Sequence, residues 1–169
     1  MKLTADEEYG FRCLLQIARR GAGESLTIPE ISRAEGISGP HAAKLLRELR
    51  RAGFIRSVRG KVGGYSLARP ANQIVVGDVL SALGGRLFEA DFCESHAGQA
   101  KICSHSGDCS IRALWRTVQL ALDQVLGKTT LQDLLRTEQD MGGWVTRLSS
   151  LKAAAGPPIA YRQTGPDLA

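Results

Sequence analysis

Between Ile55 and Leu67 the chain alternates, turns and alternates again. Ile55-Arg56-Ser57-Val58 and Tyr65-Ser66-Leu67 each carry a period-two pattern, and Arg59-Gly60-Lys61-Val62-Gly63-Gly64 lies between them. Two short alternating runs around a glycine-rich tip read as a β-hairpin. The tip is basic. This hairpin constrains the fold more than any other stretch, because of what stands before it.

Three capped helices precede it. Thr4 and Glu7 form a capping box, in which each side chain satisfies a free backbone N–H at the helix start. Phe11, Leu14, Leu15 and Ala18 then share one face at helical spacing, and Arg19-Arg20-Gly21 suit the helix end. Thr27, Pro29 and Glu30 open a second helix in the same way, and Gly36 breaks it after about two turns. Ser38 caps a third, with Pro40 in its first turn, an apolar stripe of Ala42, Leu45, Leu46 and Leu49, and Gly53 at its end. Two short helices joined by a tight glycine turn are a helix-turn-helix. Followed by a basic hairpin, they make a winged helix, whose second motif helix reads the major groove while the wing reaches phosphates or the minor groove.

Charge agrees with this reading. The 169 residues carry a net +5, all of it within residues 1–85, where 13 Lys+Arg face 8 Asp+Glu. Residues 86–169 hold nine of each. From Arg33 to Arg69 there are nine basic residues, opposed only by Glu35 and Glu48. A local excess of that size on a helix-turn-helix is an electrostatic footprint for a polyanion. The chain is 43% hydrophobic and 23% charged, as soluble globular proteins are. No apolar run approaches the roughly 20 residues of a membrane span, and Met1–Gly10, with Asp6, Glu7 and Glu8, is no signal peptide. A cytoplasmic location is expected, with no membrane partner.

Beyond Pro70-Ala71-Asn72 the pattern changes. Ile74 to Leu83 reads as a short element and a short helix closed by Gly84-Gly85. Residues 89–109 show no periodicity. From Ser110 to about Leu126 a long helix carries Ile111, Leu114, Trp115, Val118, Leu122 and Val125 on one stripe, which needs a surface to pack on, its own domain or a second copy. Thr130 and Asp133 cap a last short helix, and the glycine–proline pairs beyond Leu151 read as a frayed tail. The expected fold is mainly α with a small β-hairpin: residues 1–85 a winged helix-turn-helix, 86–109 a cysteine loop, 110–150 dimerisation helices, 151–169 a flexible tail.

Cys13 falls near the apolar face of the first helix and reads as a small core residue. The other three cysteines crowd one loop as Cys93-x9-Cys103-x5-Cys109. An odd number in a cytoplasmic chain argues against a disulfide scaffold. The short Cys-x2-Cys knuckles of structural zinc are missing. Spacing alone leaves an iron–sulfur cluster, zinc and a thiol redox switch open.

The chain resembles the family of IscR/NsrR/RirA-type winged-helix iron–sulfur transcription regulators over about residues 1–137. The likeness is carried by Tyr9-Gly10-Phe11-Arg12, Ile37-Ser38 through Leu45-Leu46, Ala52-Gly53-Phe54-Ile55, Arg59 through Pro70, Ile74 through Val79, Cys109 through Trp115 and Thr129-Thr130-Leu131. The resemblance implies a homodimer built on the long helix, an operator in double-stranded DNA, often repression, and a cluster on Cys93, Cys103 and Cys109, with 2Fe–2S favoured and 4Fe–4S an alternative. It places DNA contacts on Ser38, Pro40, His41, Ala43, Lys44, Arg50, Arg51, Arg59 and Lys61. Where some relatives have a fourth, histidine ligand, this chain has Arg112, which cannot ligate iron. Glu8 matches a carboxylate that serves other relatives from the partner subunit; His105 and then His96 are the alternatives. A change in the cluster would then shift DNA affinity through the loop. A cysteine-dependent enzyme is the rival from another class, but no nucleotide loop or nucleophile elbow is present, so none is expected.

Overall fold

The computed structural model describes residues 3–21, 23–60, 63–89, 91–97, 102, 103 and 105–150, with side chains as far as residue 147. Lys61 and the expected flexible tail, residues 151–169, lie outside these. The elements in chain order are α1 (Ala5–Arg20), α2 (Ile28–Glu35), α3 (Gly39–Arg51), β1 (Ile55–Val58), β2 (Gly64–Leu67), α4 (Val76–Gly84), α5 (Phe92–Ser95), α6 (Ser110–Leu126) and α7 (Glu138–Ser150). Short 3-10 turns span Ala71–Gln73 and Asp133–Leu135. The fold is mostly helical with one antiparallel hairpin, as expected.

The caps act as the sequence indicates. Thr4 Oγ1 accepts from the Glu7 N–H at 3.3 Å and Glu7 Oε2 accepts from the Thr4 N–H at 2.7 Å. Thr27 and Glu30 repeat the exchange at 3.4 and 2.8 Å. Ser38 Oγ accepts from the His41 N–H at 3.3 Å. Gly36, at φ 66°, takes the left-handed turn between α2 and α3. Gly53, at φ 78°, lets Phe54 N–H return to the Leu49 carbonyl at 3.0 Å, which closes α3.

The core forms around α3. Ala42, Leu45, Leu46 and Leu49 are fully buried, the three leucines in one cluster with Cys13, Leu14 and Ile17 of α1 and Ile31 of α2. Each of those leucines contributes about 1.5–3 kcal/mol by burial. Phe54 and Ile55 root the hairpin in the same cluster. β1 and β2 pair from Ile55↔Leu67 to Val58↔Gly64. Leu26 lies alongside β2, exchanging both backbone bonds with Tyr65 at 2.8 and 3.0 Å. The base of the wing is therefore held from three sides, and Arg59 and Gly60 at its tip are exposed.

After α6 the chain returns to this core. Val75 and Thr130 form an antiparallel bridge, Val76 N–H bonds to Thr129 O at 2.9 Å, and Leu131 is fully buried beside Ile74 and Val79. Three local readings need correction. The aperiodic stretch holds one helical turn, α5. The turn bonded between Thr130 and Asp133 is 3-10 rather than α-helical. A further helix, α7, follows it; Gly142-Gly143 in its middle hide its pattern, because glycine is a poor helix former. Among the described residues no helix is long and apolar enough to cross a membrane.

Gly64 tests the wing base. A Cβ there would lie 2.5 Å from the Leu26 carbonyl oxygen, which belongs to the backbone and cannot swing aside. Gly64→Ala is expected to cost about 1–3 kcal/mol, as overpacking does. Urea unfolding followed by circular dichroism measures this; an unchanged midpoint and slope would contradict the three-sided base.

Candidate nucleic-acid interface and cysteine segment

Burial of one side of α3 leaves its other side to solvent. Lys44, Arg47, Arg50 and Arg51 are exposed there, with Ser38 and Pro40 exposed at the start of the helix and His41 and Ala43 half-buried. Glu35, one of the two acids within the basic run, is turned away from this face. Its carboxylate accepts from Arg12 Nε at 2.5 Å and Gln16 Nε2 at 2.6 Å, and is buried between α2 and α1. The pairing pushes the Arg12 guanidinium above its ordinary value, chiefly through the hydrogen bond it donates to Glu35. With Glu35 occupied inside, the surface of α3 and the wing tip stay basic. Of the expected DNA contacts, Ser38, Pro40, His41, Ala43 and Lys44 fall in the first two turns of α3, Arg50 and Arg51 at its end, and Arg59 at the tip.

One residue of this face was not foreseen. Asp6, in the first turn of α1, reaches α3: Oδ1 accepts from His41 Nε2 at 2.8 Å and Oδ2 from Lys44 Nζ at 2.5 Å. Lys44 first, and His41 second, hold the Asp6 carboxyl below its ordinary value, and Asp6 raises Lys44 in turn. In the sequence Asp6 is one of three acids at a helix start, where the dipole alone accounts for it.

The cysteine segment leans on α6. Phe88 is buried and its N–H bonds to Gln119 Oε1 at 3.0 Å; Gln119 Nε2 donates to Asp123 Oδ1 at 2.8 Å, and Arg86 pairs with Asp123. Phe88 packs on Phe92, 5.2 Å between ring centres, and Phe92 stacks on His96 at 4.1 Å. His96 Nδ1 also bonds to the Phe92 carbonyl at 2.9 Å. Arg112, at the position of the relatives' histidine, donates to the Ser106 carbonyl at 3.2 Å and so braces the loop. Gln119, Asp123 and Arg86 were missed because a polar residue beside an apolar stripe looks like ordinary solvated surface.

Cys93 lies on α5, Cys103 in the loop, and Cys109 caps α6, its Sγ accepting from the Arg112 N–H at 3.4 Å. All three are free and half-exposed. Among the described residues no three His, Cys, Asp or Glu side chains are gathered into a group that could hold a metal ion. Glu8 and His105 are exposed. The donor chemistry nevertheless fits a cluster: three reduced thiols from one segment, one already hydrogen-bonded at sulfur, as cluster sulfurs are. Cys13 is different. It is fully buried, and burial pushes its thiol up to about 11.

On α6 the apolar stripe points outward. Ile111 is 62% exposed, Leu114 55% and Trp115 41%.

The pattern of the family described as "Rrf2: Iron-dependent Transcriptional regulator" matches residues 3–137. Protein rrf2 of Nitratidesulfovibrio vulgaris Hildenborough is 38% identical over 136 residues, 80% of this chain and 88% of that protein. Among solved structures, IscR of T. potens is 26% identical with a TM-score of 0.62, covering 92% of this chain and 94% of its own. The oxidized form of Staphylococcus aureus CymR is 28% identical with a TM-score of 0.60, covering 81% of this chain and 98% of its own.

Burial separates the thiols experimentally. In the folded protein a neutral alkylating reagent at pH 8 is expected to modify Cys93, Cys103 and Cys109 and to reach Cys13 only after denaturation, because the thiolate is the reactive form. Peptide mass mapping before and after unfolding checks it; early alkylation of Cys13 would contradict the core assignment.

Proposed function

The chain belongs to the Rrf2 family of DNA-binding transcription regulators, and we propose that it binds its operator as a cytoplasmic homodimer, with α3 in the major groove, the wing on the flanking duplex, and the cysteine segment as the sensor. The observation that carries the DNA reading is the segregation on α3, apolar within and basic without, continued by Arg59 at the wing tip. Lys44, Arg50, Arg51, Arg59 and Lys61 supply phosphate and groove contacts in this reading; Ser38, Pro40, His41 and Ala43 lie where base edges come closest. Two protomers double every phosphate contact, so binding falls steeply with salt. The outward stripe of α6 is the surface a second copy covers. Residues 1–85 act as the reading unit, 86–109 as the sensor and 110–150 as the dimerisation unit. Nothing in this reading calls for catalysis.

Cys93, Cys103 and Cys109 would hold an iron–sulfur cluster, 2Fe–2S first and 4Fe–4S second. When bound, such a group supplies iron and sulfide that react with oxidants or nitric oxide. The chain's own part is to present the three sulfurs and to couple them to α6. Cys109 is the first link, being the cap of that helix. Gln119 and Asp123 are the second, through Phe88 and Arg86. Glu8 is the proposed fourth ligand, ahead of His105. His96 gains support from its Nδ1 bond to a carbonyl, the arrangement that leaves Nε2 for a metal. A second reading keeps the same DNA-binding fold and lets the thiols themselves carry the signal or bind zinc. It is favoured by their free, half-exposed state and by the likeness to a regulator solved in an oxidized form.

Two measurements test these readings. Arg59→Ala is expected to weaken operator binding by about 1–3 kcal/mol in a fluorescence titration; parent-like affinity would remove the wing from the interface. Anaerobically purified parent protein is expected to contain iron and acid-labile sulfide, lost or reduced in Cys93→Ser, Cys103→Ser and Cys109→Ser and kept in Cys13→Ser. Among Glu8→Gln, His105→Ala and His96→Ala, the one that alters the visible spectrum names the fourth ligand. Parent protein without iron or sulfide, whose DNA affinity still changes on thiol oxidation, would favour the second reading.

A further inference from the structure

Asp6 puts a negative charge where a DNA-binding surface has least use for one. Its carboxylate spans His41 and Lys44, which stand three residues apart on α3 and so lie on one face. Tyr9, one turn further along α1, sets its ring edge-on to His41 at 5.7 Å, and the Arg12 guanidinium lies over the Tyr9 ring at 5.0 Å. Arg12 is in turn fixed to Glu35. The start of the reading helix is thus tied along α1 by a row of contacts, and Asp6 is the member that touches the two side chains nearest the bases.

This has a chemical consequence. A phosphate attracts Lys44 chiefly by its charge, and Lys44 already has a charge partner. Moving from Asp6 to a phosphate exchanges one anion for another, so a random duplex gains little from this lysine. A base edge asks for less. The ammonium has three donors and can keep one on Asp6 while giving another to a guanine oxygen or nitrogen. His41 is oriented as well: a carboxylate only accepts, so Nε2 carries the proton and the ring is fixed in place. An acid in this position weakens attraction to DNA in general and leaves recognition of a matched edge in place.

We propose that Asp6 is a specificity-determining residue of DNA reading, holding His41 and Lys44 as an ordered pair and withholding the charge of Lys44 from unmatched phosphates. The partner is a duplex with an acceptor-bearing base edge opposite the first two turns of α3. The inference rests on the reading that α3 enters the groove.

The test uses the full-length protein, an operator duplex selected by the parent from random-sequence DNA, and a scrambled duplex of the same composition, titrated over a salt series. Asp6→Asn is expected to bind the scrambled duplex several-fold more tightly, with a salt dependence steeper by about one phosphate contact per protomer. Its ratio of operator to scrambled affinity is expected to fall by about tenfold, the scale of one lost specific contact. Asp6→Glu, which keeps the charge, is expected to keep most of that ratio. Adding Lys44→Ala to Asp6→Asn is expected to return the salt dependence to that of Lys44→Ala alone. An Asp6→Asn protein with the parent's ratio and salt dependence would overturn the proposal, as would an Asp6→Glu protein that loses discrimination equally. Lys44→Ala separates the two levels. If it leaves operator binding and salt dependence unchanged, α3 is not the reading surface and the underlying reading fails. If it weakens binding while Asp6→Asn is silent, only the role of Asp6 fails. Should Asp6→Asn melt well below the parent, Asp6→Ser, which keeps a polar helix start, replaces it under the same criteria.

Discussion

The burial of Leu45, Leu46 and Leu49 against α1 is the contact on which the rest of the molecule depends. It fixes the rotation of α3 about its own axis. Once those three side chains face inward, Lys44, Arg47, Arg50 and Arg51 have nowhere to go but out. The same cluster takes in Phe54 and Ile55, so the direction of the wing follows from the packing of the helix before it. A single apolar stripe thereby orients both the basic face of α3 and the wing, and their relative placement needs no separate device.

A second, weaker organisation surrounds α6. Among the described residues its contacts with the cysteine segment include polar ones through Gln119, Asp123 and Arg112, with Phe88 packed on Phe92 beside them. The core can hold its shape while this segment changes, because regions with few buried apolar contacts open at low free-energy cost. That difference suits a division between a rigid reading surface and a responsive loop.

What the sequence revealed follows the range of the forces involved. Thr4, Thr27, Ser38, Gly36 and Gly53 were legible because caps and turns are settled within a few residues. The hairpin was legible because its alternation and its tip are local, and the core stripe because 3.6-residue spacing is visible in a string of letters. Asp6 was not, since its partners lie 35 and 38 residues away and nothing about a first-turn acid distinguishes a dipole partner from an ion-pair partner. Gln119 and Asp123 were hidden for the same reason. So was the return of Leu131 to the core, which depends on a bridge between Val75 and Thr130 that no local pattern announces. The cysteines could be counted and spaced, but what they hold, and with which partner residue, is a tertiary or cross-subunit matter.

That bridge has a mechanical meaning. α6 is about 25 Å long at 1.5 Å per residue, and its far end is sewn to the core through Thr129, Thr130 and Leu131. Its near end is Cys109, beyond which only the loosely held segment follows. The helix is anchored at its far end, held along its side by Phe88 and Arg86, and carries Cys109 at the other. In the proposed reading, a change among the three thiols would be passed along α6 to Ile74, Val79 and Leu131, which sit in the same cluster as the leucines of α3, without any side chain having to span the distance.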